Sequence, residues 1–123
     1  MFAFLAFLAF LAALVASTSL HITVWPNGPD SAKRAWTLRC APVGGTLPHR
    51  ATACRRLLGM TRPFRPVPKD AACTEIYGGP QTAFVTGRLQ GRRVRASFNR
   101  HDGCEIGRWD RVRFLFPIAT GVR

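Results

Sequence analysis

The sequence predicts an α+β fold built around an antiparallel β-sheet. Several short segments alternate apolar and polar residues with the period of a half-buried strand, and one segment has the longer period of an amphipathic helix. Strands and helices do not alternate along the chain and no internal repeat is present, which argues against parallel-sheet and repeat folds. The 123 residues have room for one such domain, with four or five strands and one principal helix.

Two strands are predicted near the start of the folded region. In residues 20–25, apolar side chains occupy every second position, and a Pro-Asn-Gly-Pro turn follows. Residues 36–40 repeat this alternation, and Pro42 with the following Gly-Gly pair ends the segment. Each segment therefore has the pattern of a strand with one buried face.

A helix is predicted after the second strand. From Thr46 the apolar spacing changes to that of a helical face, with Thr46 as the N-cap and Gly59 as the end of the helix. The apolar face consists of Leu47, Ala51, Cys54, Leu57 and Leu58. Three prolines in residues 61–69 then exclude both a helix and a central strand, so a long ordered loop is expected there.

The second half of the chain predicts a β-hairpin and a last strand. Residues 85–89 and 94–98 alternate apolar and polar positions on either side of a Gln90-Gly91 turn. The last strand is predicted from three alternating apolar residues, Val112, Phe114 and Phe116.

The segment from Met1 to Ala16 contains no polar side chain. A membrane-spanning helix needs about 20 apolar residues, so a signal peptide is the favoured interpretation and a permanent anchor is the alternative. Small residues place the cleavage after Ser17 or Ser19. Residues 1–19 are therefore expected to be a signal peptide, and residues 20–123 a domain secreted to the extracellular space.

The four cysteines are Cys40, Cys54, Cys73 and Cys104. In a small exported domain, an even number of cysteines predicts disulfides. No C-x-x-C spacing is present, which disfavours a zinc site, and no metal or cofactor is expected. Four cysteines allow three pairings, and their spacing does not choose among them.

The chain is strongly basic, with 18 Lys and Arg against 6 Asp and Glu and a formal net charge of +12. Its apolar content of 47% excludes a disordered polycation. Arginines concentrate towards the C-terminus, at Arg88, Arg92, Arg93, Arg95, Arg100, Arg108, Arg111 and Arg113. They form either an ordinary solvated face or a surface for anionic polymers or membranes. No RNP-like motif or recognition helix accompanies them, so no specific nucleic-acid partner is expected.

The sequence offers few residues for catalysis. After the predicted signal peptide, serine occurs only at Ser31 and Ser97, and neither lies in a G-x-S-x-G motif. His21, His49 and His101 are scattered and match no metal-binding spacing. The protein is therefore not expected to be an enzyme.

Residues 73–80 are the most informative segment. A cysteine, Cys73, precedes an extended stretch of polar and apolar residues that a Gly-Gly-Pro turn closes. Such a segment is either a rigid, exposed binding loop or the entrance to an ordinary strand.

Several motifs occur together in a specific order. Thr37-Leu38-Arg39-Cys40-Ala41-Pro42 is followed by Cys54 and then by Cys73-Thr74-Glu75-Ile76-Tyr77. Gln90-Gly91-Arg92-Arg93-Val94, Cys104-Glu105 and Val112-Arg113-Phe114-Leu115-Phe116 complete the series. In this order and spacing, over residues 20–116, the chain resembles the Streptomyces subtilisin inhibitor family.

The resemblance implies a particular architecture. It predicts a five-stranded antiparallel sheet with one main and one short helix on one face. It also predicts disulfides between Cys40 and Cys54 and between Cys73 and Cys104.

The resemblance further implies a secreted inhibitor of an extracellular serine endopeptidase. The reactive bond would lie between Glu75 and Ile76, with Glu75 entering the specificity pocket of the protease. The contact loop would consist of Ala72, Cys73, Thr74, Glu75, Ile76 and Tyr77. Because Glu75 is an anion where the type member of the family has Met, the target would be either a subtilisin-like or a glutamate-tolerant protease. A homodimer formed through the sheet is also implied, although the charge of +12 opposes it at low salt.

Overall fold

A computed structural model describes residues 17–117 of the chain. One antiparallel sheet contains β1 (Thr18–Trp25), β2 (Arg34–Cys40), β3 (Gly44–Gly45), β4 (Thr82–Leu89) and β5 (Arg92–Phe98). The strands lie in the order β3-β2-β1-β4-β5, which confirms the predicted five-stranded antiparallel sheet. The hairpin β4–β5 turns at Gln90 and Gly91, as the sequence predicts.

The alternation of side chains divides the sheet into a buried face and an open face. In the central strand β1, Leu20, Ile22 and Val24 are fully buried, whereas His21 is exposed. The register places Leu38 of β2 directly beside Leu20. Each such apolar side chain contributes about 1.5–3 kcal/mol when it is buried, so this face forms the centre of the core.

Within the described residues, two helices cover the buried face, α1 (Arg50–Leu58) and α2 (Gly103–Arg111). Cys54 and Leu57 of α1 and Trp109 of α2 belong to the same hydrophobic core as the strand residues. The two helices implied by the resemblance are thus confirmed, and both have nine residues.

The start of α1 also differs from the prediction. The helix begins at Arg50, after His49 in a left-handed conformation with φ of 57° and no side-chain cap. The Thr46 hydroxyl instead accepts a hydrogen bond of 3.0 Å from the backbone N–H of Thr37 in β2. The predicted Thr46 N-cap is therefore wrong, because this side chain is engaged by the neighbouring strand. Gly59 ends the helix as expected.

The predicted last strand at Val112, Phe114 and Phe116 is wrong. The chain leaves α2 through a 3-10 turn at Arg113–Leu115. Val112, Leu115 and Phe116 are fully buried, at the spacing of three and four that a helical conformation produces, whereas Phe114 is partly exposed. Because Leu115 is also apolar, the apolar residues of this short segment fit the two-residue period of a strand and also the three-to-four-residue period of a helix. The alternating pattern alone therefore does not identify its conformation.

Both disulfides have the pairing implied by the resemblance. Cys40–Cys54 joins β2 to α1, and Cys73–Cys104 joins the connection before β4 to α2. Between α1 and β4, residues 59–81 contain neither helix nor strand, which includes the loop predicted from the prolines in residues 61–69.

The N-terminal prediction is only partly within the described structure. Residues 1–16 of the predicted signal peptide lie outside the described residues, whereas β1 already begins at Thr18, before the second predicted cleavage point at Ser19. Among residues 17–117, no helix is long and apolar enough to cross a membrane.

Candidate functional site

The predicted contact loop, residues 72–77, is an extended segment at the surface. Glu75, Ile76 and Tyr77 are all exposed. Ile76 is 58% exposed and Tyr77 is 66% exposed, which is unusual for apolar side chains of this size. Two adjacent, largely apolar side chains therefore project from this loop into solvent.

The segment is fixed on the N-terminal side of Glu75. Cys73 is bonded to Cys104 in α2, with a Cα–Cα distance of 5.3 Å. The carbonyl of the next residue, Thr74, accepts a hydrogen bond of 2.9 Å from the backbone N–H of Gly103. A Cβ at position 103 would overlap the Thr74 hydroxyl, so the loop lies directly against the start of α2.

The segment is also fixed on the C-terminal side of Tyr77. The backbone N–H of Gly78 donates a hydrogen bond of 2.7 Å to the carbonyl of Arg100, and Nε of Arg100 donates to the carbonyl of Gly78 at 3.3 Å. Arg100 thus binds Gly78 through both its backbone and its side chain. A Cβ at Gly78 would lie 2.8 Å from Cδ1 of Ile106, so the loop lies directly against α2.

Arg100 is itself held by the helical layer. Its Nη1 forms an ion pair of 2.9 Å with Asp110, and its guanidinium lies 5.8 Å from the ring centre of Trp109. The side chain of Arg100 is only 16% exposed. Its position is therefore fixed by α2 as well as by the loop.

The support for the loop begins at the N-terminus of α2. The Asp102 side chain accepts a hydrogen bond of 2.9 Å from the backbone N–H of Glu105 and so caps the helix. The ring of His101 stacks on the ring of Tyr77, with 6.0 Å between the ring centres. Residues 100–104 thus provide a continuous support beneath the loop.

The other sequence candidates do not form a second chemical site in the described part of the chain. The Ser31 hydroxyl donates to the carbonyl of Gly28 within a turn. Cys73, Asp102 and Cys104 bring potential ligand atoms within 4.8 Å of one another, but both sulfurs belong to the disulfide and Asp102 caps the helix.

The described domain is small, contains two disulfides, and presents an exposed, extended loop that is fixed at both ends. A sequence model of the subtilisin inhibitor-like family matches residues 16–101, more than half of the chain, and the chain belongs to this family. No individually curated protein matches the chain significantly. Membership implies that the protein inhibits a serine protease rather than acting as an enzyme, and members of this family are typically extracellular.

Proposed function

We propose that this protein inhibits a serine endopeptidase by presenting residues 72–77 as a substrate-like strand, with Glu75–Ile76 as the reactive bond. The observation that supports this proposal is the exposure of both residues between two fixed points, Thr74 on one side and Gly78 on the other.

The fixed loop explains how a segment that resembles a substrate can inhibit. A serine protease binds an extended chain through main-chain hydrogen bonds and accommodates alternate side chains in pockets. A flexible peptide loses conformational entropy on binding, whereas residues 73–78 are already held by the disulfide and the hydrogen bonds to residues 100–104.

The same contacts oppose hydrolysis. If the protease attacks the Glu75 carbonyl, the new amine of Ile76 stays beside the acyl-enzyme, because Gly78 is bound to Arg100. The amine is then present at a high effective concentration, so religation competes with attack by water. Cleavage of this bond is therefore slow and reversible.

The charge of Glu75 determines which proteases are inhibited. A carboxylate buried in an apolar pocket, or opposite an acidic one, costs several kcal/mol unless a basic partner is present. We therefore propose a target that accepts glutamate in its specificity pocket. The protein meets this target outside the cell, after removal of the predicted signal peptide.

A titration against three proteases tests this proposal. The purified, oxidised protein is added to a subtilisin-like, a trypsin-like and a glutamate-specific protease, and cleavage of the inhibitor is mapped by mass spectrometry after reduction. We expect stoichiometric inhibition of the glutamate-specific protease, with slow cleavage confined to Glu75–Ile76.

Glu75→Met is the specificity variant, and Asp70→Asn, an exposed carboxylate outside the contact loop, is the matched control. The Glu75→Met variant should inhibit the subtilisin-like enzyme about 100-fold more tightly, because no carboxylate then enters the apolar pocket of the protease. Asp70→Asn should leave the inhibition of all three proteases unchanged. Rapid, complete cleavage, or equal inhibition of the subtilisin-like enzyme by the parent protein and the Glu75→Met variant, would contradict the proposal.

A further inference from the structure

The open face of the sheet carries a cluster of exposed arginines, Arg39, Arg88, Arg93 and Arg95, called here the arginine cluster. The strand register sets Arg39 beside Ser19, Ser19 beside Arg88, and Arg88 beside Arg93. Three arginines therefore lie on one line across four strands. With about 4.8 Å between neighbouring strands, this line is about 14 Å long. Arg95 follows two residues along β5 on the same face.

The positive charge of this cluster is not balanced within the sheet. All six side-chain carboxylates of the protein lie in the described residues, and none lies in any of the five strands. The contacts of the cluster are with neutral groups: Arg88 donates to the carbonyl of Gly91 at 3.1 Å, and Arg95 lies 5.4 Å from the ring centre of Phe84. The open face is therefore complementary to an anionic partner.

The same face carries partly exposed aromatic rings. Phe84 is adjacent to Thr23 in the register, and Trp25 is the next outward-facing residue along β1. Both residues line a shallow cavity of about 290 Å³. A cation lies over each ring, with Lys33 at 6.0 Å from the ring centre of Trp25 and Arg95 at 5.4 Å from that of Phe84. A base that stacks on either ring therefore replaces one of these contacts.

We propose that this face binds single-stranded nucleic acid without sequence preference. Phosphates contact the arginine cluster, and bases stack on Trp25 and Phe84. Ser19 and Trp25 are six residues apart in β1, about 20 Å, so a segment of several nucleotides spans both regions. A cationic surface next to aromatic platforms is the combination that binds single strands with little regard to sequence.

Other occupants fit the face less well. A second copy of the chain would bring its own arginine cluster against this one. An anionic membrane would satisfy the charges but would not require stacking on Trp25. A double helix keeps its bases paired and stacked on one another, so it cannot use the aromatic rings.

The test measures binding of a fluorescent oligothymidine of about 20 nucleotides by fluorescence anisotropy. Four phosphate contacts to a single strand predict a slope of about −2.8 for log affinity against log salt. The affinity should therefore fall about 50-fold between 50 and 200 mM NaCl. A duplex of the same length should bind more weakly than the single strand.

Two variants with equal loss of charge locate the binding surface. The first changes all four residues of the arginine cluster to Gln. The second changes four exposed cationic residues outside the sheet to Gln: Arg50, Arg55, Arg62 and Lys69. For the first variant, the slope of log affinity against log salt should approach zero, a change of about 3. The second variant should bind the oligonucleotide within about threefold of the parent affinity.

Trp25→Leu should weaken binding of the oligonucleotide about tenfold, with Phe84→Leu as a second test of stacking. Protease inhibition should be unchanged by the arginine variants, because residues 72–77 do not belong to the open face. Four outcomes would overturn the proposal. Two concern the surface: both four-residue variants lose affinity equally, or both aromatic variants bind as the parent does. The other two concern the ligand: single strand and duplex bind equally, or anionic vesicles bind and the oligonucleotide does not.

Discussion

Arg100 connects the contact loop to the rest of the domain. It binds the carbonyl of Gly78, pairs with Asp110 and lies over the ring of Trp109. Because Gly78 follows the proposed reactive bond, Arg100 acts on the segment that must stay in place after cleavage. We infer that Arg100 is a positioning residue of the loop and does not itself contact the protease.

Replacing Arg100 should affect inhibition more than stability. A hydrogen bond from a charged group is worth about 1.5–3 kcal/mol, so Arg100→Met should weaken inhibition at least about tenfold. Cleavage at Glu75–Ile76 should also become faster. The measurements are the inhibition constant, the cleavage rate and the melting temperature of each variant.

Arg111→Met is the matched control, because Arg111 belongs to the same helix layer but donates to the carbonyl of Thr61, away from the contact loop. Arg100→Lys should recover part of the inhibition, since it retains the positive charge. If Arg100→Met and Arg111→Met had the same inhibition and cleavage rate, Arg100 would have no positioning role.

For single residues, the sequence predicts features that depend on one continuous segment of the chain. The local pattern of residues 73–80 allows either a binding loop or a strand entrance, and the resemblance singles out Glu75, Ile76 and Tyr77, which are exposed. Arg100 and His101 were not assigned to the loop, because their contacts with Gly78 and Tyr77 are formed across more than 20 residues by folding. No local pattern in the sequence records such a contact.

At the scale of elements, the strands were predicted better than the helix boundaries. Strong alternation identified β1 and the hairpin β4–β5, where one face is buried and the other open. The resemblance implies a second helix, but the apolar pattern does not locate it, although Asp102 and Glu105 have the spacing of an N-cap and an acidic first turn. This signal marks where a helix begins, whereas the apolar pattern that followed it was ambiguous.

The two disulfides should make different contributions. Replacing Cys73 and Cys104 by Ser frees the N-terminal side of the loop, so inhibition should be lost and the segment should be cleaved as a substrate. Replacing Cys40 and Cys54 by Ser should lower stability by about 3 kcal/mol but leave inhibition measurable well below the melting temperature.

These double variants control for each other, and denaturant unfolding and inhibition are measured for both. If the variant without Cys73–Cys104 remained a slow, tight inhibitor, the hydrogen bonds of Thr74 and Gly78 alone would be sufficient to fix the loop.

The position of signal cleavage should affect the stability of β1. Thr18 is 3% exposed, and its hydroxyl accepts a hydrogen bond of 2.9 Å from the backbone N–H of Gln90. A protein that begins at Thr18 keeps this contact, and one that begins at Leu20 lacks it. We therefore predict cleavage after Ser17, and a loss of about 1–2 kcal/mol in the shorter form.

N-terminal sequencing of the exported protein and urea unfolding of both forms provide the measurements. Identical unfolding midpoints, or a mature protein that begins at Leu20, would contradict this prediction.

At the scale of the whole molecule, charge governs association between copies. The homodimer implied by the resemblance would use the sheet, where the arginine cluster would face its counterpart. With a net charge of +12 on each subunit, repulsion is strongest at low salt and is screened as salt increases.

We therefore predict a monomer at low salt and stronger self-association as NaCl rises. Sedimentation velocity at several salt concentrations measures this, and the variant with Gln in place of the arginine cluster should associate at lower salt than the parent. A dimer that is equally stable at all salt concentrations would show that the copies meet through another surface.

The connection between Cys73 and Cys104 has a consequence for the molecule after it has been cut. Cys73 precedes the Glu75–Ile76 bond and Cys104 follows it, so the bridge spans the cut. The two pieces stay covalently joined, and a gel run without reductant would not separate them. Hydrolysis by the target adds one water to the molecule but releases no fragment, and the two pieces separate only after the disulfide is reduced.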